Sequence, residues 1–280
     1  MVTEGFARAV LPLFEEGLID ALEYSFEIGW VDGGLPAWAV DLLDHYSEAQ
    51  RLWGHGVTFS PLTDAADTHH EAWLGRVAAE CQARAYRGVS EHYGFMREDG
   101  VHGGAPLPPP PGPATVRRGV DALTRLAAKT GGPVGLENLA LALSPQDIWA
   151  QGPALSAMLD AVDGYLVLDL HNLDCQVHNF GVRATDVLDT YPLARARCIH
   201  VSGGSWSHPS VGGQPRRFRR DTHDGAVPSS VLALLPMVLA RCPNLETVIL
   251  ERLGPSVGDA DGEALRDEAR AIAALIGAAP

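Results

Sequence analysis

Histidines, carboxylates and amides recur along this chain where apolar segments of strand length come to an end. GHGVTFS carries His55, VSEHYGF carries Glu91 and His92, VGLENLA carries Glu137 and Asn138, and LVLDLHN carries Asp169, His171 and Asn172. CIHVSGG follows with His200, RRDTHDG with Asp221, His223 and Asp224, and VILERLG with Glu251. Glu137, Asp169, His200, His223 and Glu251 are separated by 32, 31, 23 and 28 positions, each close to one βα repeat. In a barrel of parallel strands every C-terminal strand end opens on the same face, so residues at this spacing converge. One such residue means little. A whole series at buried strand ends must be paired, hydrated or bound to metal.

The donor set, roughly four imidazoles and four carboxylates with an amide and no thiolate, suits Fe, Mn or Zn. It exceeds the need of one ion and is large enough for two or three metals with bridging carboxylates. Asp221 and His223 alternate, which in an extended segment turns both to one side and Thr222 away. Asp169 and Asn172 straddle a strand end and meet only if the chain turns there. Singly, each residue has a plainer reading. His55 suits a turn, Glu91 an arginine partner outside the donor set, and Asp224 an acceptor that orients His223. His69 and His70 fall at a helix start, where exposure is expected. His171 is left open between donor and core, and His178 and Asn179 either shape a loop or touch substrate. Arg216, Arg217, Arg219 and Arg220 read as a solvated loop, or as a basic patch at the barrel mouth for an acidic peptide or substrate carboxylate. Gly203 and Gly204 are a weak anion cradle. No G-x-S-x-G elbow, Walker loop or Cys-His nucleophile pair is present, so the chemistry falls to metals.

The elements that must position these residues alternate. Strands are predicted at 21–28, 52–59, 87–93, 134–138, 165–170, 198–201 and 247–251, with a short eighth near 219–223. Helices are predicted at 36–50, 68–85, 115–129, 145–160, 184–194, 229–240 and 259–276. Pro36 and Pro145 suit helix starts, and Asp259 and Asp261 suit the positive end of the last helix. This is the pattern of one (β/α)8 TIM barrel domain over 1–280, and the dinucleotide fingerprint of an open sheet is absent. VHGGAPLPPPPGP at 101–113 reads as a proline-rich loop, a stiff spacer in preference to a lid or docking arm.

With 280 residues, 46% of them hydrophobic and 20% charged, the chain is expected to fold around a large core. The 21 basic and 35 acidic residues give a formal charge of −14, which disfavours nucleic acid and anionic membranes as partners. No apolar run approaches membrane-spanning length, and the N-terminal sequence lacks a secretory pattern. Cys81, Cys175, Cys198 and Cys242 form no C-x-x-C pair, so reduced thiols and a cytoplasmic location are expected.

Taken in order, the Gly-His-Gly around His55, Ser-Glu-His at 90–92, Glu-Asn at 137–138 and Asp-x-x-Asn at 169–172 with His178-Asn179-x-Gly181 form a pattern. It continues through Ile-His-Val at 199–201, Asp-Thr-His-Asp at 221–224 with Val227-Pro228, and Glu251. The pattern resembles the multinuclear non-haem iron-dependent oxidative enzymes, which include the methanobactin-maturation and 3-thiaglutamate-pathway enzymes. The resemblance implies a xylose-isomerase-like barrel holding two or three irons as Fe(II)/Fe(III). The implied ligands are His55, His92, Glu137, Asp169, Asn172, His200, Asp221, His223 and Glu251. It further implies O2 as co-substrate, a residue of a ribosomally made precursor peptide, often Cys, as substrate, and a partner protein that presents the peptide. The chain departs from a frequent form, His-Leu-Ala-Gly-His, by carrying Gly204 where a second histidine often stands. Two other classes fit the same barrel: a divalent-metal sugar isomerase or phosphoester hydrolase, and a non-catalytic metal- or peptide-binding protein. Metal analysis and oxygen uptake separate the first, and a spectroscopic titration with thiol ligands or nitric oxide separates the second.

Overall fold

The computed structural model describes residues 3–63, 68–98, 101–258 and 260–278. Seven parallel strands form the central sheet: β1 (Leu22–Ser25), β2 (Leu52–His55), β3 (Val89–His92), β4 (Val134–Glu137), β5 (Tyr165–Asp169), β6 (Ala196–Val201) and β7 (Thr247–Leu250). Their spatial order follows the chain order, each bonded to the next. Eight helices of eleven residues or more surround or precede them: α1 (Glu4–Glu15), α2 (Ala37–Glu48), α3 (Thr68–Ala83), α4 (Pro113–Thr130), α5 (Pro145–Val162), α6 (Leu170–Phe180), α7 (Ser229–Leu239) and α8 (Gly262–Gly277). The result is a nearly closed TIM barrel of seven strands.

The expected eighth strand near 219–223 is not in that sheet. Phe218–Arg219 instead pairs antiparallel with Trp206–Ser207 in a small ladder, and β6 pairs directly with β7 from Cys198↔Thr247 to Val201↔Leu250. Four cationic side chains at 216–220, interrupted only by Phe218, do not suit a buried barrel strand. The expected loop at 101–113 is also corrected. Val101–Leu107 is a strand pairing antiparallel with Phe95–Glu98, and only 108–112 form the proline-bearing link to α4. The prolines concentrate at the end of that segment, so the earlier residues keep the donors a hairpin needs. The helix expected at 184–194 is shorter, Ala184–Leu188, and Asp259 lies outside the described residues.

Two apolar layers hold the barrel. The main core lies between sheet and helices, with Leu52, Leu123, Leu136, Leu155, Leu166 and Ile199 fully buried. Inside the barrel Trp53, Tyr165, Val167 and Cys198 form a separate cluster, with the Trp53 and Tyr165 rings edge to face at 5.6 Å. The Arg197 guanidinium sits 5.2 Å and 5.3 Å from those two rings. The four cysteines are free thiols, three of them buried. Among the described residues no helix is long and apolar enough to cross a membrane.

Candidate metal centre

The strand ends bring the donors to one height. In the sheet register His92 stands opposite Glu137, and Asp169 opposite His200. His55 ends β2, His92 ends β3, Glu137 ends β4 and Asp169 ends β5, while Glu251 follows β7 and donates its backbone N–H to Val201 O at 3.0 Å. Glu137 is the hub: its Oε2 lies 3.1 Å from His55 Nε2, 3.4 Å from His92 Nε2 and 3.7 Å from His200 Nδ1. Glu251 Oε2 lies 3.3 Å from His200 Nδ1 and 3.7 Å from His223 Nε2, and His223 Nε2 is 2.7 Å from Asp221 Oδ1.

Three groups of candidate donor atoms therefore adjoin: His55, His92 and Glu137; Glu137, Asp169 and His200; Asp169, His223 and Glu251, with the atoms of each group within 4.8 Å of one another. Glu137 and Asp169 belong to two groups each, so each could serve more than one ion. A fourth group, Glu23, Cys198 and His200, lies on the inner side. Burial pushes the Cys198 thiol up to about 12, so it stays protonated there.

The sequence reading missed Glu23, whose Oε1 accepts from His200 Nε2 at 3.0 Å. A signal existed: Glu23 precedes His55 by 32 positions, the same repeat as the other donors. It lies within β1 and not at a strand end, where the other candidate donors stand.

The chain turns at Asp169 as the pair with Asn172 requires. The region after β5 is helix α6, whose N-cap is Asp169, accepting the Asn172 N–H at 2.6 Å. Asn172 Nδ2 then donates to Glu137 Oε1 at 2.9 Å and to Asn138 O at 2.8 Å. Asn138 braces the Asp169 backbone from both sides, donating to its O at 3.0 Å and accepting from its N–H at 2.7 Å. Ser90 Oγ meets His55 Nδ1 at 2.8 Å, and Glu91 accepts the N–H groups of Phe59 and His92. Glu91 is thus a brace for the loop and for His92, with no arginine partner among the described residues.

His223 adopts a left-handed backbone, φ 51°, and its O accepts from Leu253 N–H at 2.7 Å. That turn keeps Asp221 and His223 together but sends Asp224 outward, where it accepts the Thr222 hydroxyl at 2.6 Å instead of orienting His223. The group that braces Asp221 is His171, fully buried, with Nδ1 3.3 Å from Asp221 Oδ1. A side chain at Gly204 would overlap the Arg220 carbonyl oxygen and come within 2.9 Å of His171 Cε1. Gly203 is packed as tightly on Ala226, so the Gly-Gly pair seats the 220–226 loop.

The remaining candidates lie beside the centre. Asn179 brackets the Arg219 backbone, donating to its O at 2.9 Å and accepting its N–H at 2.7 Å, which is the loop-shaping role. Arg219 is buried, 3.9 Å from Asp174, so it is not part of a solvated loop. Arg217 lies over the Trp206 ring at 3.8 Å, and His178 meets the same ring edge to face. His70 is buried against Phe59 and His69 bonds Thr58 O at 2.6 Å, so neither is the exposed cap residue expected.

Electrostatics mark the centre as a trap for positive charge. Burial would push His92 down, but the Glu137 and Glu91 carboxylates outweigh it and raise it to about 10. Burial likewise opposes charge on His200 and His223, yet Glu23 and Glu251, and Glu251 and Asp221, hold them well above the ordinary imidazole range. Burial, with Glu137, Asp221 and Glu251 nearby, pushes Asp169 well up. Without a cation the carboxylates retain protons on their neighbours; a cation takes the place of those protons.

The residues present fit metal. Asp169 Oδ2 and Asn172 Oδ1 are buried without a hydrogen-bond partner among the described residues, and beside them the buried His200 Nδ1, His223 Nε2 and Glu251 Oε2 meet only one another and the Asp221 and Glu137 carboxylates. Buried polar atoms are rarely left so, and this group is gathered around one space.

Comparison with known proteins agrees on fold and family. The chain resembles the IOLI protein with a bound zinc atom at a TM-score of 0.58, with 16% identity over 96% of this chain and 92% of that one. It resembles endonuclease IV from Thermus thermophilus at a TM-score of 0.54, with 16% identity over 96% of both chains. A UPF0276 protein of Caulobacter vibrioides is 28% identical over 81% of this chain and 77% of its own length. One from Rhizobium meliloti is 25% identical over 70% of this chain and 62% of its own length, so the match spans less than two thirds of that relative. The profile of the RiPP precursor modification enzymes MbnB/TglH/ChrH matches residues 27–275. With its barrel, its rim of convergent donors and this match over most of its length, the chain belongs to the MbnB/TglH/ChrH family of RiPP precursor modification enzymes.

Proposed function

We propose that the chain is a multinuclear iron enzyme that uses dioxygen to modify a residue, a cysteine, of a ribosomally made precursor peptide presented by a partner protein in the cytoplasm. The observation that carries this reading is the run of three adjoining donor groups that share Glu137 and Asp169, with Asp169 Oδ2 and Asn172 Oδ1 buried among them without a hydrogen-bond partner among the described residues. His55, His92, Glu137, Asp169, Asn172, His200, Asp221, His223 and Glu251 hold two or three ions. The imidazole and carboxylate donors favour iron over a soft metal. Iron, when bound, supplies the one-electron chemistry that oxidation of a peptide thiol by dioxygen requires.

The chain's own contribution is to pre-orient. Ser90 on His55 Nδ1 leaves Nε2 facing Glu137, Asn172 fixes Glu137, Asn138 fixes Asp169, and His171 fixes Asp221. The carboxylates offset cationic charge in a buried site. A peptide thiol entering here loses its proton readily beside cations.

Anaerobic reconstitution with ferrous salt, followed by metal analysis and oxygen-uptake measurement, tests the reading. At least two irons per chain and oxygen consumption only with peptide are expected, both reduced in His223→Ala. An isomerase or hydrolase would work with magnesium, manganese or zinc and leave oxygen untouched.

A further inference from the structure

The barrel sheet has two ends, β1 and β7, and among the described residues no hydrogen bond joins them. The two strands differ from the others in exposure. All four residues of β7 and three of the four in β1 are half-buried, whereas β2, β4 and β5 are buried throughout. Thr247, Val248, Ile249 and Leu250 are good strand formers, left partly exposed in the wall of a barrel.

Both strands line a cavity of about 2130 Å³ along their whole length. It runs from Arg51 and Glu246 at the strands' N-terminal end to Asp221, His223 and Glu251 at the rim. Its outer wall is α1, which spans the seam: Phe14 meets Tyr46 of α2 edge to face, and Arg266 of α8 donates to Ala9 O. Leu11, Trp38, Leu253 and Ile276, four of the large hydrophobic side chains most exposed on the molecule, face the same cavity.

Resting on the peptide-modifying reading above, we infer that the β1–β7 seam receives an extended segment of the precursor peptide as an added strand, parallel to both, delivering the residue after it to the donor rim. Unpaired strand edges offer backbone N–H and C=O groups, which another polypeptide satisfies and a lipid or sugar does not. A parallel strand fits an all-parallel sheet, and its C-terminal end then emerges where Asp221, His223 and Glu251 stand. Alternate side chains of the segment point outward to the apolar face of α1 and inward to the barrel, so outward positions take Val, Ile or Leu. The occupied seam closes the barrel with the eighth strand that residues 219–223 do not supply.

The test is hydrogen exchange of the full chain, alone and with a short synthetic peptide of alternating Val and Thr, against the same peptide N-methylated at alternate residues. In the free chain those amides of 22–25 and 247–250 that are not bonded to β2 or β6 should exchange much faster than those of 166–168. Peptide should slow both edges by about tenfold or more, and the N-methylated peptide should not. Equal protection of the edges and of 166–168 in the free chain overturns the inference. So does absence of slowing, or equal slowing by the N-methylated peptide, which means apolar filling without strand pairing. Edge protection that grows with protein concentration in the absence of peptide, with a dimer in sedimentation, assigns the seam to a second copy and overturns it too. None of these readings needs iron or turnover, so failure here leaves the iron reading standing, and an oxygen-inert protein overturns that reading without changing the exchange result.

Discussion

Asp169 accepts the Asn172 backbone N–H at 2.6 Å with one carboxylate oxygen and leaves the other buried without a partner among the described residues. One side chain thus ends a strand, starts a helix and offers a donor atom to the centre. The two duties separate by substitution. Asp169→Asn keeps the cap, since Asn and Asp cap equally well, but loses the charge. Asp169→Ala loses both. Thermal unfolding of the metal-free protein should show little change for Asn and a loss of about 1 kcal/mol for Ala. Iron content should fall in both.

Gly204 is set by backbone and not by its neighbouring imidazole. A methyl group there overlaps the Arg220 carbonyl, so Gly204→Ala should cost on the order of 1–3 kcal/mol and displace the segment carrying Asp221 and His223. Adding His171→Ala should not restore stability, because the tightest contact remains. Denaturant unfolding of the single and double variants checks this.

Glu27 accepts N–H groups from Val57 at 3.0 Å and Thr58 at 2.8 Å, the Thr58 hydroxyl at 2.9 Å and the Trp73 indole N–H at 2.8 Å. Burial pushes its carboxyl up, but the Trp73, Thr58 and Val57 donors outweigh it and hold the carboxyl below the ordinary 4.5. A depressed carboxyl stabilises the fold fully above its unfolded value and loses that contribution as pH falls through the folded value. Glu27→Gln should therefore be less stable than the parent by about 1.5–3 kcal/mol at neutral pH. The difference should shrink as pH is lowered below 4.5, as read from unfolding midpoints at each pH.

Metal should stabilise the fold as well as enable chemistry. Ferrous ion added anaerobically to metal-free protein should raise Tm with concentration, by the equivalent of about 2.7 kcal/mol at a hundredfold excess over Kd. Asn172→Ala, which removes the amide that orients Glu137, should require more iron for the same rise. Scanning calorimetry across an iron series decides it.

The gathering of these candidate donors was legible in sequence because a barrel converts a spacing near thirty residues into spatial coincidence. His55, His92, Glu137, Asp169, His200, His223 and Glu251 all fall in the adjoining donor groups. Glu23 was not, because a glutamate inside the LEYS strand reads as an outward polar residue until the barrel interior is seen to be its environment. Helix α6 is absent from the predicted elements, which carry a strand through 170 and resume with a helix at 184, although Asp169 is a good helix cap.

Local pattern determined what depends on neighbours in the chain: the alternation of strands and helices, the hydrophobic faces, and the ends at which polar residues stand. Only tertiary structure decided whether the barrel closes, that His171 braces Asp221 while Asp224 turns away, and that Gly204 is filled by the Arg220 carbonyl. Those outcomes depend on which surfaces meet across the molecule, and contact between residues fifty positions apart leaves no mark on the sequence around either.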